Sequence, residues 1–131
     1  MITTFGLSHI QLTVRDLDRS IRFYRQLLGM KELRRGATSV MLRTPGSQEI
    51  ITLNADPQGS ADAGRMGGVA HIGFRLREPH DMAAVLAEIA SAGGTPSQHG
   101  SRGAENKELY AFGADPDGYE IELFWAPVVD E

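Results

Sequence analysis

Two histidines at matching places and a carboxylate near the end of the chain are the residues whose types and spacing could do chemistry. His9-Ile10 followed by Arg15-Asp16 is echoed by His71-Ile72 followed by Arg77-Glu78, and such an echo is the mark of a duplicated unit. The segments Glu49-Ile50-Ile51-Thr52-Leu53 and Glu120-Ile121-Glu122-Leu123 echo one another as well, which pairs Thr52 with Glu122. In a duplicated unit whose halves share a core, His9, Thr52, His71 and Glu122 converge near one axis. Three of these can ligate a metal, whereas a hydroxyl normally does not. Two imidazoles and a carboxylate suit one divalent ion per site, Fe, Mn, Zn, Ni or Co, with coordination positions left open for water or substrate oxygens. The ion would act as a Lewis acid on a carbonyl, enolate or catecholate oxygen. A lone strand histidine is ordinarily a hydrogen-bonded structural residue, and the repeat is what lifts this pair above that reading. Glu120 and Glu122 share one strand parity, so period alone does not choose between them. Glu49 has the parity opposite to Thr52 and is expected to meet solvent.

The elements that must position these residues are legible in the hydrophobic pattern. Leu7 to Arg15 alternates as a strand. Asp16 reads as the N-cap of a helix whose Leu17, Ile21, Tyr24, Leu27 and Leu28 recur at helical spacing until Gly29 closes it. Strands at Lys31 to Arg35 and Val40 to Thr44, a Pro45-Gly46 turn and a strand at Glu49 to Leu53 complete a βαβββ half. Asn54 to Gly68 is polar and aperiodic, the pattern of a mobile linker. Val69 to Leu76 then reads as a strand and Asp81 to Ala92 as a helix stopped by Gly93-Gly94. Ser97 to Lys107 reads as a polar loop, and Leu109 to Gly113 and Tyr119 to Trp125 as a hairpin around the turn Asp115 to Gly118. The expected fold is α+β, two βαβββ modules at about 5–54 and 68–126 forming a cup-shaped mixed sheet in one domain spanning 1–131.

Composition bounds what such a site could serve. At 131 residues the chain holds one ordinary core. Thirteen Lys and Arg against 17 Asp and Glu give a net charge of −4, which excludes the basic stripe of a nucleic-acid surface. Cysteine is absent, so any ion sits on nitrogen and oxygen. Neither a signal peptide nor a membrane-spanning run is visible, and the expected location is the cytoplasm, with a small molecule as partner.

Other polar residues carry weaker signals. The Asp115 to Gly118 turn is read as structural. Arg102 and Lys107 are candidates to contact an anionic substrate, against the ordinary reading that charged loop residues are solvated. His80 and His99 are expected at the surface, with His99 in a loop able to swing toward the cup.

The chain resembles the vicinal oxygen chelate superfamily, which includes glyoxalase I, extradiol dioxygenases, fosfomycin resistance transferases and bleomycin-binding proteins. The resemblance rests on His9-Ile10 through Val14-Arg15-Asp16-Leu17, Ser20 with Phe23-Tyr24 and Leu28-Gly29, Ala70-His71-Ile72, and Asp115 through Leu123. By that likeness Glu122, the residue just before the last Leu of the motif, joins His9 and His71 as ligands, and a homodimer is implied. The tail from Ala111-Phe112 to Glu122 is most similar to glyoxalase I, which implies lyase or isomerase chemistry. Glyoxalase I carries a carboxylate ligand where this chain has Thr52, and the His, His, Glu set looks instead like that of Fe(II) extradiol, ring-cleaving dioxygenases. Those enzymes typically place a Tyr where Phe112 stands; Tyr110, on the same strand parity, is the candidate substrate hydrogen-bond donor. A third expectation is a metal-free protein that binds an antibiotic or aromatic ligand in a groove lined by Phe112, Tyr110 and Trp125.

Overall fold

The computed structural model describes residues 1–128, and they divide into two compact units that meet in sequence at Gly64 and Arg65. Each unit is one helix against a four-stranded mixed sheet, which makes the fold α+β.

In the first unit β1 (His9–Thr13) leads into α1 (Leu17–Leu28), followed by β2 (Lys31–Arg35), β3 (Ser39–Arg43) and β4 (Ile50–Asn54). Asp16 caps α1 as its type predicts, its side chain accepting from the Arg19 N–H at 3.0 Å. Gly29 ends it at φ 65°, a left-handed conformation that costs glycine nothing. The sheet order is β1-β4-β3-β2, with β1 parallel to β4 and the rest antiparallel. Direct cross-strand partners share a face, so Leu12, Leu42, Ile51 and Leu53, all buried, form one face. Ile21, Phe23 and Tyr24 of α1 are buried in the same unit, the two rings edge to face at 5.0 Å. Fully burying each such side chain contributes about 1.5–3 kcal/mol. The opposite face carries His9, Gln11 and Thr13 beside Ile50, Thr52 and Asn54.

The predicted linker has structure of its own. A 3-10 turn runs over Ser60–Asp62, Ala63 is buried, and the Arg15 guanidinium donates to the Ala63 carbonyl at 2.9 Å.

The second unit repeats the plan with β5 (Ile72–Arg75), α2 (Met82–Ser91), β6 (Thr95–Arg102), β7 (Glu108–Ala114) and β8 (Glu120–Trp125), in the order β5-β8-β7-β6. Here the structure corrects the sequence reading. Most of the Ser97 to Lys107 segment expected as a loop is the eight-residue edge strand β6, so β6, β7 and β8 form a meander and not a lone hairpin. The strand is hard to recognise because Thr95-Pro-Ser-Gln-His-Gly-Ser-Arg102 has no apolar alternation, as suits an edge that is mostly exposed. Helix α2 begins at the Asp81 cap and packs across β6 and β7 with Met82, Val85 and Ile89 buried. Among the described residues no helix is long and apolar enough to cross a membrane.

Gly113 lies close beneath Ile89 of α2. A Cβ there would lie 2.9 Å from the Thr95 carbonyl oxygen on the neighbouring strand and 3.0 Å from Ile89 Cγ2. Neither the backbone nor a buried helix side chain can yield freely, so Gly113→Ala is expected to cost about 2 kcal/mol by overpacking. A fall in the urea midpoint at unchanged m-value is the measurement; an unchanged midpoint would mean that helix and sheet move apart without penalty.

Candidate metal centre

The strand registers of the two units superpose the predicted ligands. In the first unit Gln11 pairs with Thr52, and His9 stands two residues before Gln11; in the second Gly73 pairs with Glu122, and His71 stands two residues before Gly73. Thr52 and Glu122 thus occupy the same place in their modules, as the sequence echo implied. The place that holds a carboxylate in one unit holds a hydroxyl in the other.

Within the second unit one sheet face gathers the polar and aromatic candidates. Phe112 is the direct partner of Glu122, and Tyr110 of Phe124. The His71 ring, just ahead of β5, meets Phe112 edge to face at 5.2 Å, and Phe112 meets Tyr110 at 5.7 Å. His71, Phe112, Tyr110 and Glu122 therefore share a face, while Ala111, Ile121 and Leu123 supply the buried one. Glu122 is only 5% exposed, whereas His71 is exposed. Glu120 has the same parity and is half-buried at the start of β8.

Small residues make room on this face. Gly73 lies opposite Glu122, and a Cβ there would be in ordinary contact with Glu122 Oε1 at 3.9 Å. Gly100 lies opposite Tyr110, whose hydroxyl would be 2.6 Å from a Cβ at position 100. The ring therefore lies across the glycine, a placement that any larger residue would forbid.

Glu122 has a partner that the sequence did not reveal. The Arg102 Nη2 donates to Oε2 at 2.9 Å and to Oε1 at 3.2 Å. The guanidinium carbon lies 5.1 Å from the Tyr110 ring centroid and 5.3 Å from that of Phe124, within cation–π range. Arg102, a candidate for contact with an anionic substrate, is paired with the predicted metal ligand. Lys107 is paired with Glu105, and both are largely exposed.

Two expectations change. Trp125 shares the parity of Ile121 and Leu123, so it lies on the face opposite Glu122; Phe124 is the aromatic residue beside Tyr110. His99 pairs with Ala111, which puts it on the face away from Glu122, and as a strand residue it has no loop on which to swing. His80 is exposed ahead of α2, as expected. Glu49 is exposed and receives the Ser47 hydroxyl, which with backbone N–H groups holds its carboxyl below the ordinary range; it behaves as a solvated residue.

The donor chemistry fits a divalent ion. Imidazole and carboxylate are borderline and hard ligands suited to Fe, Mn, Zn, Ni or Co, and a Cβ at Gly73 would meet no atom other than Glu122 Oε1 within 4 Å. Neither unit carries three predicted ligands by itself, since His9 belongs to the first and His71 and Glu122 to the second. Among the described residues no group of three or more His, Asp and Glu is gathered that could hold an ion.

Comparison with known proteins gives a consistent result. A family model described as the Glyoxalase/Bleomycin resistance protein/Dioxygenase superfamily matches residues 6–123. The lactoylglutathione lyase of Salmonella typhimurium is 34% identical over 131 residues, covering 92% of each chain. The manganese-dependent 2,3-dihydroxybiphenyl 1,2-dioxygenase of Geobacillus genomosp. 3 is 32% identical over 125 residues, which cover 95% of this chain and 37% of that protein. The chain thus spans little more than a third of the dioxygenase's length. Among solved structures, the fosfomycin resistance protein FosX from Listeria monocytogenes matches with a TM-score of 0.74 at 20% identity, covering 98% of this chain and 97% of that one.

Proposed function

The chain belongs to the glyoxalase/bleomycin resistance protein/dioxygenase superfamily, and on that premise we propose that it is a divalent-metal-dependent enzyme acting on a small oxygenated metabolite, with glyoxalase-like lyase or isomerase chemistry. His9, His71 and Glu122 are the ligands, drawn from both modules, and a homodimer is the expected assembly. The observation that carries this reading is the matching register of the two units, in which each module has a histidine two residues before the direct partner of Thr52 or Glu122, and the second module has a carboxylate at that place. When bound, the ion supplies Lewis acidity to adjacent oxygens of the substrate.

The chain's own residues do the rest. His71 offers an imidazole whose ring is fixed edge-on by Phe112. Tyr110, laid across Gly100, offers its hydroxyl as a donor to a substrate oxygen. Glu122 serves as ligand and as the acceptor for a proton leaving substrate carbon. Thr52 cannot share that duty, because a hydroxyl is not a base at neutral pH, so a shuttle between two protein carboxylates is not part of this reading. Wild type stripped by chelator is expected to recover turnover of a carbonyl or hemithioacetal substrate on reloading with Mn, Fe, Ni, Zn or Co singly. Failure of every metal to restore turnover on every substrate tried would remove the proposal.

A second reading is an Fe(II) or Mn(II) ring-cleaving dioxygenase. It is favoured by Thr52, which leaves a facial set of two histidines and one carboxylate, and by the identity to the Geobacillus dioxygenase. Catechol added anaerobically to iron-loaded protein should then produce a visible absorption band, and oxygen should be consumed on admission of air. A metal-free ligand-binding protein is the third possibility carried from the sequence, and metal content after purification separates it from both.

A further inference from the structure

The carboxylate proposed as a metal ligand is already engaged, and its partner has a second place to go. Nη2 of Arg102 spans both oxygens of Glu122, a carboxylate whose side chain is 7% exposed while that of Arg102 is 46% exposed. A guanidinium and a divalent cation cannot share those oxygens at close range, since both are positive and a partly buried pair screens poorly. For an ion to take Glu122, the arginine must move. Its direct cross-strand neighbour is Glu108, whose Oε2 lies 3.9 Å from Arg102 Nε and whose side chain is 38% exposed. One acidic partner is therefore inside the site and another, more exposed, is within 3.9 Å of the same guanidinium.

The backbone beyond Arg102 is suited to such a move. Gly103 has φ 80°, and Glu105 and Asn106 follow at φ 56° and 53°. A left-handed conformation costs a residue such as Glu105 about 1–2 kcal/mol, whereas asparagine adopts it more readily, so the turn after β6 is strained at Glu105, close to the residue that must shift.

We propose that Arg102 is a two-position latch on the metal ligand: without an ion it holds Glu122, and as a divalent cation takes Glu122 the guanidinium passes to Glu108. The proposal rests on the reading of Glu122 as a ligand. The latch sets the affinity for metal, because each binding event must break the internal ion pair.

Free Mn(II) counted by electron paramagnetic resonance during titration of the full chain is the readout, and it does not depend on turnover. Arg102→Met is expected to bind Mn(II) about tenfold more tightly than wild type, the scale of a charge-assisted pair removed from competition. Glu108→Gln is expected to bind several-fold more weakly, since the displaced arginine loses its second partner. Lys107→Gln removes an equal charge from the same turn and is expected to leave the affinity unchanged. Should Arg102→Met prove poorly folded, Arg102→Lys keeps the charge but not the planar fork and is expected to tighten binding by a smaller factor. Equal affinity in wild type and the arginine variants, an unchanged Glu108→Gln, or a Lys107→Gln effect as large as that of Arg102→Met would overturn the latch while the metal site stood. Absence of Mn(II) binding in every protein would overturn both.

Discussion

Glu122→Gln is expected to lower metal affinity by at least about 100-fold, since even residues that only support a ligand typically change affinity 10–100-fold when altered. The substitution keeps the shape of the side chain and one acceptor oxygen but removes the negative charge. A neutral amide is a poor ligand beside imidazoles for a divalent cation, and Arg102 would be left with Glu108 as its charged partner. The fold should survive. Arg102 is close to half exposed and has Glu108 within 3.9 Å, so it is not stranded in an apolar interior. The change in unfolding free energy is therefore expected to stay under about 1.5 kcal/mol, the net worth of an ordinary hydrogen bond. Metal content by elemental analysis, with thermal unfolding alongside, gives the result. Wild-type stoichiometry in the variant would remove Glu122 from the ligand set and with it the proposed chemistry. His71→Ala is expected to lose affinity with the same sign, whereas a purely structural histidine would change stability and leave metal content alone.

Much of the fold that positions the candidate residues is legible in the sequence, for reasons that differ from residue to residue. Helix α1 was legible because three independent signals agree on it: the Asp16 cap, the apolar period and the left-handed Gly29. The equivalence of Thr52 and Glu122 was legible because duplication preserves register, and register fixes which face each side chain takes. Strand β6 was not, because an exposed edge with little apolar surface follows no period. Missing β6 hid two consequences. His99 belongs to a fixed strand and faces away from Glu122, and Arg102 ends that strand on the face where Glu122 lies. The Arg102–Glu122 pair could not have been found from spacing, since it joins the first and third strands of a meander across Tyr110 and Phe112. The misassignment of Trp125 has a different origin. Its aromatic character suggested a ligand groove, but parity alone, counted from Glu122, places it with Ile121 and Leu123 on the other side.

The turn that joins β7 to β8 is where the position of Glu122 is decided, and Asp115→Ala should show it. Asp115 is 2% exposed, and its Oδ1 accepts the backbone N–H groups of Asp117, Gly118 and Tyr119 at 2.9, 3.1 and 3.0 Å. The strand ends are closed by its own backbone, which accepts from Gly118 and donates to the Tyr119 carbonyl. Alanine would strip the acceptor from three donors, two of them in a buried setting. Hydrogen bonds to a charged acceptor contribute about 1.5–3 kcal/mol each, though three on one oxygen are not additive, so a loss of about 3 kcal/mol is expected. Asp115→Asn keeps an oxygen in place without the charge and should cost about half as much. Urea unfolding of both variants is the measurement, and a loss below about 0.5 kcal/mol for alanine would mean that the turn holds without its side chain. The consequence for the site follows from strand alternation. A slip of one residue between β7 and β8 would carry Glu122 from the face of His71 and Tyr110 to that of Ile121 and Leu123. The folded fraction of Asp115→Ala should then bind Mn(II) as wild type does if the register holds, and not at all if it slips.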